Sequence, residues 1–107
     1  MDNQELKIKF EEIENKLKQA RSQNEDVTEL LKVKYELLKI GFARIKRDTM
    51  DSSFDKNPKK YSTLLSYLNT MKAVATEINM PQNEISSLEN DIYEEMKKNN
   101  LDWLLNR

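Results

Sequence analysis

The chain has 107 residues, a formal net charge of -1, no cysteine and no histidine. That excludes disulfides, thiolate nucleophiles and cysteine-based metal sites, and it removes the commonest general base and metal ligand, which argues against an enzyme. Apolar residues make up 37% and charged residues 35%, with one glycine and two prolines, the balance of long helices with solvated outer faces.

The N-terminal stretch Met1 to Phe10 mixes charged and apolar residues with no continuous hydrophobic core, so it reads as neither a signal peptide nor a membrane anchor. A soluble, cytoplasmic protein with no membrane partner is expected. Leu6, Phe10, Ile13, Leu17 and Ala20 then recur at alternating spacings of four and three, the seam of a coiled-coil-like helix over about 3–21. Ser22 to Asp26 is polar and rich in capping residues, and Asp26 stands three positions before Glu29, as a helix-opening pair would.

A second helix is expected over about 27–47, with two apolar rows: Val27, Leu31, Leu38, Phe42 and Ile45 in one, Leu30, Val33, Leu37 and Ile40 in the other. It should therefore be packed on two sides. Gly41, the only glycine, lies inside it at a cost of about 1 kcal/mol relative to alanine, which points either to a close helix crossing or bend or to a merely tolerated glycine. Asp48 to Lys56 has no helical period and reads as a surface loop.

Asn57 before Pro58 is a helix-start signal, and Tyr61, Leu64, Leu68, Met71, Ala75 and Ile78 give a third helix, about 57–79, a clean apolar seam. Pro81 opens a fourth, about 81–99, with Ile85, Leu88, Ile92 and Met96 on one side and Glu84, Glu89, Asp91, Glu94 and Glu95 on the other. The expected fold is all-α: a single four-helix, antiparallel, coiled-coil-like domain over 1–100, followed by an apolar tail over 101–107. So small a domain buries only about 60 to 65% of its unfolded surface. Seams wider than one thin core can use predict a homo-oligomer, with Leu6, Phe10, Ile13, Leu17, Tyr61, Leu64, Leu68 and Met71 at its interface.

Charge is unevenly placed. Lys32, Lys34, Lys39, Arg44, Lys46, Arg47, Lys56, Lys59 and Lys60 crowd the middle of the chain, whereas Glu77 to Glu95 contains no basic residue. Arg44, Lys46, Arg47, Lys56, Lys59 and Lys60 are the candidate contacts to the phosphates of double-stranded DNA, weighed against ordinary solvation of helix faces. Carboxylate pairs such as Glu11 with Glu14, or Asp91 with Glu95, share a helix face, but solvated surface accounts for them and no metal or cofactor is expected. One glycine cannot build a phosphate-binding loop, and no catalytic residue is assigned. At the C-terminus Leu101, Trp103, Leu104 and Leu105 are either an anchor for a partner's groove or part of the chain's own core.

The long helix ending near Tyr35 to Arg47, the polar loop, Lys56-Asn57-Pro58, a helix of some twenty residues and Glu77-Ile78-Asn79-Met80-Pro81 together resemble the latter half of small-subunit terminases of tailed bacteriophages, over residues 27 to 88. Asn57, Pro58 and Pro81 carry the match, and Asn79 stands where the family's turn has glycine. The resemblance implies a non-enzymatic, ring-forming subunit that recognises viral DNA and delivers it to a separate large motor and nuclease subunit. The residues also admit a second reading, a helical protein-interaction module such as a phage-encoded inhibitor or adaptor that presents the acidic stretch Glu77 to Glu95 to a host protein.

Overall fold

A computed structural model describes residues 2–51 and 58–98. It contains four helices, α1 (Asn3–Ser22), α2 (Thr28–Asp51), α3 (Pro58–Glu77) and α4 (Asn83–Lys98), and no strand among the described residues. Each start and stop has a local chemical cause. Asp2 caps α1, its Oδ1 accepting from the Glu5 amide at 2.8 Å, and Pro58 occupies the first helical position of α3, where its missing N–H costs nothing. Both α1 and α3 end on an asparagine in the left-handed region, Asn24 at φ 58 and Asn79 at φ 57. The next amide reaches back to the last turn, Glu25 to the Ala20 carbonyl at 2.9 Å and Met80 to the Ala75 carbonyl at 2.8 Å. Asparagine thus does at position 79 what glycine does in other helix stops.

Three boundaries differ from the periodicity reading. Asp26 does not pair with Glu29; its Oδ1 accepts from the Thr28 amide at 3.0 Å and the Thr28 hydroxyl at 2.6 Å, while Glu29 faces Lys32 at 3.3 Å. The helix α2 runs on to Asp51, past the loop start expected at Asp48, because nothing between Phe42 and Asp51 breaks a helix even where apolar spacing has ceased. In turn, α4 begins at Asn83, two residues after Pro81, with Gln82 Nε2 donating to Thr76 Oγ1 at 2.9 Å to tie the turn to α3.

Helices adjacent in sequence pack against each other. Polar contacts fix their directions. Arg44 with Asn3 and Lys34 with Glu14 set α1 antiparallel to α2, whereas Lys39 with Glu84 and Lys46 with Asp91 set α4 parallel to α2. Arg21 with Glu77 joins the C-terminal ends of α1 and α3. The α2–α3 pair is the centre, and both α1 and α4 are tied to each of its members.

The core is formed within this one chain. Leu64, Leu68 and Met71 of α3 have no exposed surface, Tyr61 is 2% exposed, and Leu6, Ile13 and Leu17 of α1 are all below 10%. Phe10 is half-buried against the same cluster. Of the residues expected at an oligomer interface, Leu6, Ile13, Leu17, Tyr61, Leu64, Leu68 and Met71 are buried within the chain itself, and for these seven that assignment is corrected; Phe10 alone keeps a partly exposed face. Periodicity identified the right faces and the wrong neighbour.

Gly41 marks a close crossing. A Cβ built there would lie 2.9 Å from Cε1 of Tyr67 and 3.1 Å from its hydroxyl oxygen, so the α3 tyrosine lies against bare α2 backbone. Gly41→Ala should change stability little, because a propensity gain of about 1 kcal/mol is offset by displacing the ring. In a Tyr67→Ala background the same substitution should stabilise by about 1 kcal/mol. Equal effects in the two backgrounds, measured by urea unfolding, would show that the crossing does not require glycine.

Candidate nucleic-acid interface

Because α2 and α3 are antiparallel, the C-terminal part of α2 and the N-terminal part of α3 lie at the same end of the molecule. Arg44, Lys46 and Arg47 come from the first and Lys59 and Lys60 from the second; Lys56 lies outside the described residues. The α3 sequence contains no carboxylate before Glu77, and none in its first turn, where the helix dipole is positive. The start of α1 and the end of α4 bring Lys7, Lys9, Lys97 and Lys98 to this end as well, all exposed. Those four lie far from the basic middle in sequence, and only the up-and-down topology gathers them. Asp2, Glu5, Glu11, Glu12, Asp91, Glu94 and Glu95 lie at the same end, so the surface carries both signs, with Asp91 facing Lys46 and Glu95 facing Lys98.

The expected cations are not equivalent. Arg47 is exposed and Arg44 half-buried, its Nη1 donating to the neutral Oδ1 of Asn3 at 2.8 Å, which holds the guanidinium in place without cancelling its charge. Lys46 faces Asp91 at 3.6 Å and shares its charge with α4. Lys59 is exposed and Lys60 half-buried at the start of α3.

Beside Arg44 a groove of about 400 Å³ runs between α1 and α2, with Lys7, Phe10, Gly41, Ile45 and Tyr67 among its walls. A smaller hollow of about 230 Å³, lined by Phe10, Leu38, Ser66, Tyr67 and Thr70, shares the Phe10 and Tyr67 side chains with it. Among the described residues no group of three or more acidic side chains could hold a metal ion, and no helix is long and apolar enough to cross a membrane. The tail residues Leu101, Trp103, Leu104 and Leu105 lie outside the described residues.

No family model, curated protein or solved structure matches the chain.

The acidic stretch is mostly engaged by the protein's own cations. Glu77 meets Arg21 at 3.0 Å, Glu84 meets Lys39 at 3.0 Å, Asp91 meets Lys46 at 3.6 Å, and Glu89 bonds to Lys72 in the least exposed of these pairs. Glu94 remains exposed. The charge asymmetry of the sequence is thus largely an internal match between α4 and the two central helices.

Ionisation follows the packing. Burial, reinforced by nearby Glu84, raises the Tyr35 pKa, and burial with Glu89 beside it raises that of Tyr93. The hydrogen bond from Lys39 to Glu84 raises the ammonium pKa. All three groups hold their protons more tightly folded than unfolded, so their contribution is complete below the unfolded values, about 10 for tyrosine and lysine alike, and is lost as pH rises through the folded ones. Melting temperature should therefore decline between about pH 9 and pH 11, less steeply in Tyr35→Phe. An equal decline in that variant would remove Tyr35 from the account. On the acid side, the two bonds from Thr28 lower the Asp26 pKa, a contribution present above the usual carboxylate range and lost below it.

Proposed function

We propose that this protein is a non-enzymatic DNA-binding subunit that contacts the phosphate backbone through the end of the bundle carrying Arg44, Arg47, Lys59 and Lys60. The observation that supports it is the α2–α3 hairpin, which collects these cations while the acidic stretch is occupied by Arg21, Lys39, Lys46 and Lys72. A cluster of this kind, without glycine turns or aromatic reading motifs, neutralises phosphates and does not select bases. In its specific form the reading is a terminase small-subunit-like packaging protein, which delivers viral DNA to a separate large motor and nuclease subunit in the host cytoplasm. The resemblance over residues 27 to 88 supports that form, and any assembly it requires uses surfaces other than the α1 and α3 seams.

The test is duplex-DNA binding followed by fluorescence anisotropy as salt is raised. Affinity should fall linearly on a log–log plot, with a slope of about 0.9 for each phosphate contacted. Replacing Arg44, Arg47, Lys59 and Lys60 by glutamine should weaken binding to every sequence and flatten that slope. Binding that ignores both salt and these replacements would sink the proposal.

One observation favours the second reading, a protein-interaction module: the half-buried Phe10, Ile45 and Tyr67 along the α1–α2 groove. A partner's apolar side chains would find a floor there, so on this reading the groove replaces the acidic stretch as the contact surface. Partner binding lost in Tyr67→Ser but kept in the glutamine variant would favour it.

A further inference from the structure

The ion pairs that run from α4 to the central helices are of two kinds. Lys72 with Glu89 is the more enclosed, the Glu89 side chain being 16% exposed. Lys39 with Glu84 and Lys46 with Asp91 are open: the lysines are 33% and 31% exposed, the carboxylates 51% and 55%, and the separations are 3.0 and 3.6 Å. Pairs so accessible to water add little to stability. Nor does α4 need them to stay docked, since Ile85, Ile92 and Met96 have no exposed surface. The open pairs therefore call for another account.

Their placement is regular. Lys39 and Lys46 stand seven residues apart on α2, about 10 Å along the helix, and Glu84 and Asp91 stand seven apart on the parallel α4. Each carboxylate directly precedes a buried isoleucine, Ile85 or Ile92, so the packing of α4 fixes it opposite its lysine. Lys46 lies between Arg44 and Arg47 in the chain, and Lys39 is two turns back. The two lysines thus extend the cations of the bundle end along the side of α2, and α4 neutralises that extension one for one.

We infer that Glu84 and Asp91 are a built-in competitor for phosphate: they occupy Lys39 and Lys46, keep DNA off the side of α2 and hold its affinity down. The inference takes its ligand, duplex DNA, from the proposed function. A carboxylate on a docked helix meets its lysine at high effective concentration, whereas a phosphate must arrive from solution, so both lysines stay paired while α4 is in place. Without the carboxylates both ammonium groups keep their charge, on stems long enough to turn outward and already about one-third exposed.

Glu84→Gln with Asp91→Asn, made in the whole chain, tests it. The acid-free variant should remain folded and bind duplex DNA more tightly. Its log–log salt slope should steepen by about 1.8, or about 0.9 for each freed lysine that takes a phosphate. Lys39→Gln with Lys46→Gln should leave the slope of the wild type unchanged and abolish the gain in the acid-free variant. Acetylation of lysines, read by mass spectrometry, supplies a second measure: DNA should protect Lys39 and Lys46 in the acid-free variant and not in the wild type. Higher affinity with an unchanged slope and no new protection would mean only that the molecule had become less negative, and would overturn the inference. Protection of both lysines already in the wild type would overturn it as well. A wild type that does not bind DNA counts against the proposed function; if the acid-free variant then binds with Lys39 and Lys46 protected, the carboxylates are still the competitor, and if it gains nothing, both readings fall.

Discussion

Leu68→Ala is expected to destabilise the protein by about 3 kcal/mol, within the range of about 2 to 5 kcal/mol for emptying a fully buried leucine site. Leu68 has no exposed surface and lies on α3, which packs against both α2 and α4, so the cavity is walled by three helices and cannot collapse from one side. For a domain of this size the melting temperature should fall by about 10 to 20 °C. The same measurement decides what the α3 seam is for. An interface residue would lower the mass in solution and leave the melting temperature of the dilute chain nearly unchanged; a core residue does the reverse. Leu68→Ala and Leu17→Ala should both behave as core substitutions, whereas Ile8→Ala, at a position 47% exposed, should stay within about 0.5 kcal/mol of wild type. A Leu68→Ala protein that melts like the wild type would restore the seam to the surface.

That contrast shows how far the amino-acid sequence reaches. Spacings of three and four in Leu6 to Ala20 and Tyr61 to Ile78 picked the faces that are buried, because a helix of fixed pitch leaves no freedom in which side chains share a side. What covers a face depends on how helices are connected in space, and no periodicity contains that. So Leu64 and Leu68, read as contacts between chains, pack within one. Chain ends follow a similar logic. Pro58 and Asn79 carry their own backbone requirements and fall at the boundaries, while Asp48 to Asp51 remain helical although they lack an apolar period.

Charge was the least legible property. The basic middle and acidic Glu77 to Glu95 are plain in the sequence, and each invites a functional reading of its own. In the fold, Lys39 and Lys46 lie two turns apart on α2, as Glu84 and Asp91 do on the parallel α4, so the two runs meet as matched pairs. Such partly exposed pairs contribute little each, about 0 to 1 kcal/mol, but they consume the charges that a partner would otherwise see. What remains on offer is the set with no acidic match: Arg47, Arg44 beside a neutral asparagine, and Lys7, Lys9 and Lys97 at the open ends of α1 and α4, whereas Lys98 meets Glu95 at 3.7 Å.

The pair Lys72 and Glu89 differs from the others, and its disruption should be the second largest effect. The Glu89 side chain is 16% exposed and that of Lys72 37%, and they bond between α3 and α4 close to Tyr93. Lys72→Met removes the ammonium and leaves a carboxylate that is mostly desolvated, which should cost about 2 kcal/mol, between the value for exposed pairs and that for fully buried ones. Glu89→Met strands the cation instead, but Lys72 has more access to water and a long stem that can swing outward, so the loss should be nearer 1 kcal/mol. The double replacement by methionine leaves no charge unpaired and puts apolar volume between two packed helices, so it should return to within about 1 kcal/mol of wild type. The signature is therefore a double variant more stable than Lys72→Met alone, read from urea midpoints at neutral pH. Additive losses would mean that Lys72 and Glu89 act independently and that α3 and α4 are held by Ile85, Ile92 and Met96, which have no exposed surface, without help from the ion pair.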